Sequence, residues 1–154
     1  MATPMNIATL EPSTGRHWRW RRDTFHRLGE LGLFTDRSVE LIGGEILEMS
    51  PKNPPHRVAT GRGRRALAVI FREDGFTIWD QEPLALGEWD EPEPDLVVTP
   101  GQPNDYLADH PTAAQALLVV EVADSTLGFD LGDKADRYAA AGVRDYWVAD
   151  VSAR

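Results

Sequence analysis

The sequence predicts an α/β fold of the α+β type, a central mixed β-sheet flanked by helices. Three observations lead there. Helix-period and strand-period segments alternate along the 154 residues. A Gly43-Gly44 pair joins two strand-like runs, a strong hairpin signal. Residues 116–122 form the most continuously apolar run in the chain, as expected for a central strand covered on both faces.

Residues 1–15 lack periodicity and carry two prolines, so they are expected to be a flexible lead-in, with residues 16–154 forming a single domain. Over 18–34, Phe25, Leu28, Leu31 and Leu33 recur at near-helical spacing behind Asp23, predicting a first helix. The hairpin follows at 39–42 and 45–49. Three prolines make 50–55 a loop, and 56–71 reads as a second helix, weakened by Gly61 and Gly63. Residues 76–80 and 83–86 are short strand candidates, separated by an acidic turn at 87–94 from a strand that Asp95 opens and Thr99 ends. Residues 100–112 read as loop. After the central strand, 133–141 is a helix closed by Gly142, and 145–149 is a final strand.

Composition narrows the function. With 42% hydrophobic and 27% charged residues the chain is of ordinary globular make-up, and no apolar stretch approaches the roughly 20 residues a membrane span requires. The absence of cysteine excludes thiolate metal sites, disulfides and cysteine nucleophiles. Residues 1–11 lack the apolar centre of a secretory signal, so the expected location is cytoplasmic. A net charge of −9 argues against simple nucleic-acid binding, which draws on Lys and Arg. That charge is segregated: residues 1–72 hold twelve bases and seven acids, residues 73–154 four bases and eighteen acids. Either a basic half meets a polyanion while an acidic half binds metal, or the two halves pair with each other.

Asp95 and Glu121 each stand at the edge of an apolar run. If their strands are antiparallel neighbours, the first residue of one lies beside the last of the other, and the two carboxylates meet. A divalent cation relieves their repulsion, and magnesium needs only one or two protein carboxylates. Lys134 could then balance charge on a phosphate. The plainer alternatives are a turn acid at Asp95, an arginine partner for Glu121, a solvated Lys134, and helix-start acids at Asp130 and Asp133.

Pro94-Asp95, residues 121–126, Asp130, Lys134, Tyr138-Ala139 and residues 142–150 resemble the Uma-two family of restriction-endonuclease-like proteins, within the PD-(D/E)XK nuclease superfamily. Residues 40–46, Met49-Ser50-Pro51 and His56 fit the same pattern, so the resemblance spans about 25–150. It implies a restriction-endonuclease-like core and a Mg2+- or Mn2+-dependent DNA endonuclease with Asp95, Glu121 and Glu40 as metal ligands. The Val122 carbonyl is a further implied ligand. The superfamily lysine two residues past the glutamate is Ala123 here; the Uma-two pattern moves it to Lys134. His56 is implied as a substrate-facing or general-base residue, although a lone histidine is more often structural, and no second histidine has ligand spacing with it. Arg57, Arg62, Arg64 and Arg65 could track a phosphate backbone or form a solvated helix face. Trp18 and Trp20 suggest base stacking, but aromatics at such spacing, Trp147 included, read first as core. Family members continue past Asp150 with further strand, so an open sheet edge is expected here and, from it, a homodimer. The alternatives are a catalytically silent nuclease-fold binding or assembly module, and a hydrolase of small phosphate esters.

Overall fold

The computed structural model describes residues 17–152; the expected lead-in lies outside them. In order, the elements are α1 (Arg22–Glu30), β1 (Val39–Ile42), β2 (Glu45–Glu48), α2 (Pro54–Ile70), β3 (Phe76–Asp80), β4 (Leu96–Pro100), β5 (Leu118–Ala123), α3 (Leu127–Phe129), α4 (Ala135–Ala140) and β6 (Tyr146–Asp150). A π-helical turn, Asp130–Lys134, joins α3 to α4, and a 3-10 turn, Pro103–Tyr106, lies in the stretch read as loop.

A four-stranded sheet of order β3-β4-β5-β6 is the centre of the fold. β3 pairs antiparallel with β4 and β4 with β5, whereas β6 lies parallel to β5 because the helical segment 127–140 carries the chain across the sheet. The mixed sheet flanked by helices is therefore present. Side chains alternate across it. Leu96, Val98, Leu118 and Val120 pack with Leu67 of α2 on one face; Val97 and Val119 pack with Leu84, Ala116 and Tyr138 on the other. Both faces of β4 and β5 are thus covered, which accounts for their unbroken apolar character. Each Val or Leu so buried contributes about 1.5–3 kcal/mol.

The β1–β2 hairpin forms a separate two-stranded sheet, with Ile42 opposite Glu45. Its two-residue turn needs positive φ at both positions, and Gly43 and Gly44 adopt +59° and +80°. The hairpin is tied to the body by reciprocal backbone hydrogen bonds between Leu41 and Glu91.

Three expectations shift. Residues 83–86 are not a strand: Leu84 and Leu86 donate to Pro92 and Asp90, closing the segment on its own turn and leaving a single bridge between Ala85 and Thr112. The first helix is shorter than 18–34, ending before Gly32, whose φ is +80°. The last helix begins at Leu127 rather than 133. Of the two readings of the segregated charge, pairing between halves is visible: Arg22 faces Glu91 and Asp109, Lys52 meets Asp95, and Arg64 meets Asp80. Trp18 and Trp147 are exposed rather than core. Among the described residues no helix is long and apolar enough to cross a membrane.

Candidate active site

Leu96 pairs with Val120, so Asp95, just before β4, lies beside Glu121 near the end of β5, as the antiparallel arrangement requires. The backbone N–H of Asp95 donates to Glu121 Oε2 at 3.3 Å, and that of Val122 donates to Asp95 Oδ2 at 2.8 Å. Glu40 of β1 completes the acidic wall; its Oε2 accepts the Glu93 amide at 3.2 Å. Glu40, Asp95 and Glu121 are each 4% exposed.

Lys134 reaches this wall from the π-helical turn. Asp130 and Lys134, four residues apart, share the inward side of this turn, and both are buried. Lys134 Nζ lies 3.0 Å from Glu121 Oε1 and 3.1 Å from Glu40 Oε2. One turn on, the Tyr138 hydroxyl donates to Glu121 Oε1 at 2.9 Å. Thr126 Oγ1 donates to Asp130 Oδ2 at 2.6 Å. Asp130 is therefore a cavity residue and not an ordinary helix-start acid, while Asp133 is exposed and pairs with Arg137.

His56 enters from α2. Asn53 caps that helix by accepting the His56 amide at 3.1 Å, and prolines fill its first positions, so His56 sits in the first turn with Nε2 3.0 Å from Asp95 Oδ2. From the preceding loop, Lys52 Nζ meets Asp95 Oδ1 at 2.7 Å. Lys52 was missed by sequence reasoning, because a lone lysine in a proline loop has no periodicity to mark it. Asn53 was detectable: asparagine before a Pro-Pro pair is a helix-start signal, and it would have moved the helix start from 56 to 54.

These groups line a cavity of about 270 Å³ containing seven acids, two lysines and His56. A larger hollow of about 520 Å³ beside Arg21, Arg22 and Gly87 shares none of them. The acid excess leaves its mark on the cavity's protonation. Burial pushes the Glu121 carboxyl up to about 7, the attraction of Lys134 notwithstanding, with Asp95 adding to the rise. Burial likewise raises Asp130 against the Thr126 bond, and raises Glu93 with help from Glu40. Burial pulls Lys134 down, but Glu121 and Glu40 outweigh it, and the ammonium stays charged. Burial, with Glu121 alongside, keeps the Tyr138 hydroxyl protonated.

The donor set suits a hard divalent cation, being oxygen-rich, buried and short of positive charge. It suits two carboxylates better than three. Lys134 stands between Glu40 and Glu121, and among the described residues Glu40, Asp95 and Glu121 do not bring three ligand oxygens within 4.8 Å of one another.

A family model, Uma2, described as "Putative restriction endonuclease", matches residues 22–154. The chain belongs to the Uma2 family. Uma2 membership agrees with the restriction-endonuclease-like α+β architecture and supports a nuclease-like function with nucleic acid as substrate. No curated protein matches the chain.

Proposed function

We propose that this Uma2 protein is a Mg2+- or Mn2+-dependent DNA endonuclease that hydrolyses phosphodiester bonds. The observation supporting it most is that Asp95, Glu121 and Lys134, distant in the chain, converge on one acid-rich cavity. Asp95 and Glu121 are the residues to hold the ion. When bound, the ion supplies charge neutralisation at the phosphate and a lowered pKa for an attacking water. The remaining roles belong to the chain. Lys134, anchored by Glu40, orients Glu121 and sets a fixed positive charge beside the scissile group. To His56, held by Asp95 through Nε2, we assign the role of accepting a proton from water. Lys52 is free to leave Asp95 for a phosphate oxygen, because its stem is long and flexible. The exposed arginines of α2, Arg57, Arg62 and Arg65, are the candidate contacts for the polymer backbone. We place the enzyme in the cytoplasm as a homodimer joined along β6, the last strand of the sheet among the described residues, where Trp147 is 55% exposed.

Plasmid and single-stranded DNA incubated with Mg2+, Mn2+ or chelator test the proposal. Cleavage should require the ion, and Asp95→Asn or Glu121→Gln should lower it by about 100-fold or more. Ion-independent cleavage, or none under any condition, would refute it. A monomer mass at every concentration would remove the dimer.

A second reading, a catalytically silent nuclease-fold binding or assembly module, draws on one observation. All four oxygens of Asp95 and Glu121 already accept hydrogen bonds or ion pairs from the protein. Under it, Asp95→Asn changes neither metal content nor partner binding.

A further inference from the structure

Away from the acid-rich cavity, three side chains from separate parts of the chain gather. His26 lies on α1, Glu91 on the segment before β4, and His110 on the connection between β4 and β5. One ligand atom from each lies within 4.8 Å of the others. The imidazole rings of His26 and His110 meet edge to face with centroids 5.7 Å apart. His26 Nε2 is 2.5 Å from Glu91 Oε1.

Glu91 is 2% exposed, and its Oε2 is the one buried side-chain polar atom among the described residues without a hydrogen-bond partner. A buried carboxylate oxygen without a hydrogen bond is costly, the more so because it is charged. The nearest cation, Arg22, has its Nε 3.4 Å from that oxygen, while its Nη2 is committed to Asp109 at 2.7 Å. The backbone on each side of the cluster is fixed. Glu91 exchanges both backbone hydrogen bonds with Leu41, and Asp109, next to His110, is held by Arg22. These ties pre-set the positions of the side chains, as outer partners do in metal sites.

We propose that His26, Glu91 and His110 form a second metal site, for a borderline transition ion of the Zn2+ class. Two imidazoles and one carboxylate are the donor set that such ions select, whereas Mg2+ favours the all-oxygen cavity. Three protein ligands leave one position for water. The ion gives the buried Glu91 carboxylate a second cation beside Arg22, and Glu91, Asp109 and Arg22 together carry one negative charge, which a divalent ion turns into one positive. Occupancy ties α1 to both long connections of the fold, so the site acts as a tether outside the catalytic cavity.

The test uses the whole protein with Co2+ as a spectroscopic probe, in excess Mg2+ to occupy the oxygen site. A visible Co2+ absorption that saturates at one equivalent and is displaced by Zn2+ is expected. His26→Gln and His110→Gln should each weaken binding by more than the roughly 10–100-fold that losing an outer partner costs. Asp95→Asn should leave it unchanged. Zn2+ should raise the Tm of the wild type and not of His110→Gln, a change at a partly exposed loop position that leaves the core intact. Absence of Co2+ absorption, its survival in both histidine variants, or its loss in Asp95→Asn would overturn the proposal.

Discussion

Glu121 accepts a cation and a hydroxyl through one oxygen and a backbone amide through the other, yet its carboxyl rises to about 7. Desolvation outweighs the local attraction, so the folded chain holds this proton more tightly than the unfolded chain, whose value is 4.5. Below 4.5 both states are protonated and no penalty exists. As pH rises from 4.5 to about 7 the unfolded state ionises first, and folding loses on the order of 3 kcal/mol. Urea denaturation across that window should show Glu121→Gln gaining stability relative to wild type as pH rises; a constant difference would contradict the shift. Lys134→Met has the opposite character. It leaves Glu40 and Glu121 buried without their cation, at a cost of about 3–5 kcal/mol, visible as a fall in Tm at neutral pH. At this scale the sequence revealed Asp95 and Glu121, because both stand where apolar runs end. Lys134 followed them in chain order, and Glu40 entered through the family pattern. Lys52 left no mark, and neither did the pairing of His26 with His110, since only the fold closes an 84-residue gap.

Elements decide how those residues are aimed. α2 begins at Pro54 because Asn53 caps it, and Asn53 also donates to Asp124 across the cavity mouth. Asn53→Ala should therefore cost about 1 kcal/mol by urea denaturation, and should lower nuclease activity further than stability alone explains, because His56 rides on that first turn. In the hairpin, a Cβ at Gly44 would stand 2.7 Å from Arg19 Cβ, on top of a φ of +80°. Gly44→Ala should destabilise by at least the 1–2 kcal/mol that the left-handed region costs, read as a shift in Tm. Hairpin, both long helical segments and β3 through β6 were legible from periodicity and turn chemistry. The 83–86 segment was not, because a buried apolar run that bonds to its own turn has the composition of a strand. The π turn was hidden too: nothing in Asp130-Leu131-Gly132-Asp133-Lys134 separates it from an α turn.

For the whole molecule, the balance of charge sets the conditions of encounter with DNA. Most basic residues lie in the first half; Arg21, Arg22, Lys52 and Arg64 are spent on acids of the second, which leaves the few exposed arginines of α2 as the positive surface nearest in sequence to His56. Fluorescence anisotropy with labelled duplex should therefore detect binding in Ca2+ or Mg2+ and little in chelator, with a shallow salt dependence, since few phosphate contacts release few counterions. Tight binding in chelator, with a steep salt slope, would show that the arginines of α2 dominate. The antiparallel pairing of β4 with β5 has a last consequence. Asp95 and Glu121 are neighbours through strand register and not through the long excursion that separates them, so the tip of that excursion, where Leu107 is 84% exposed, should tolerate inserted residues without parting the two acids. Removing a single residue from within either strand would instead turn its alternate side chains to the opposite face and dismantle the acidic pair at a stroke.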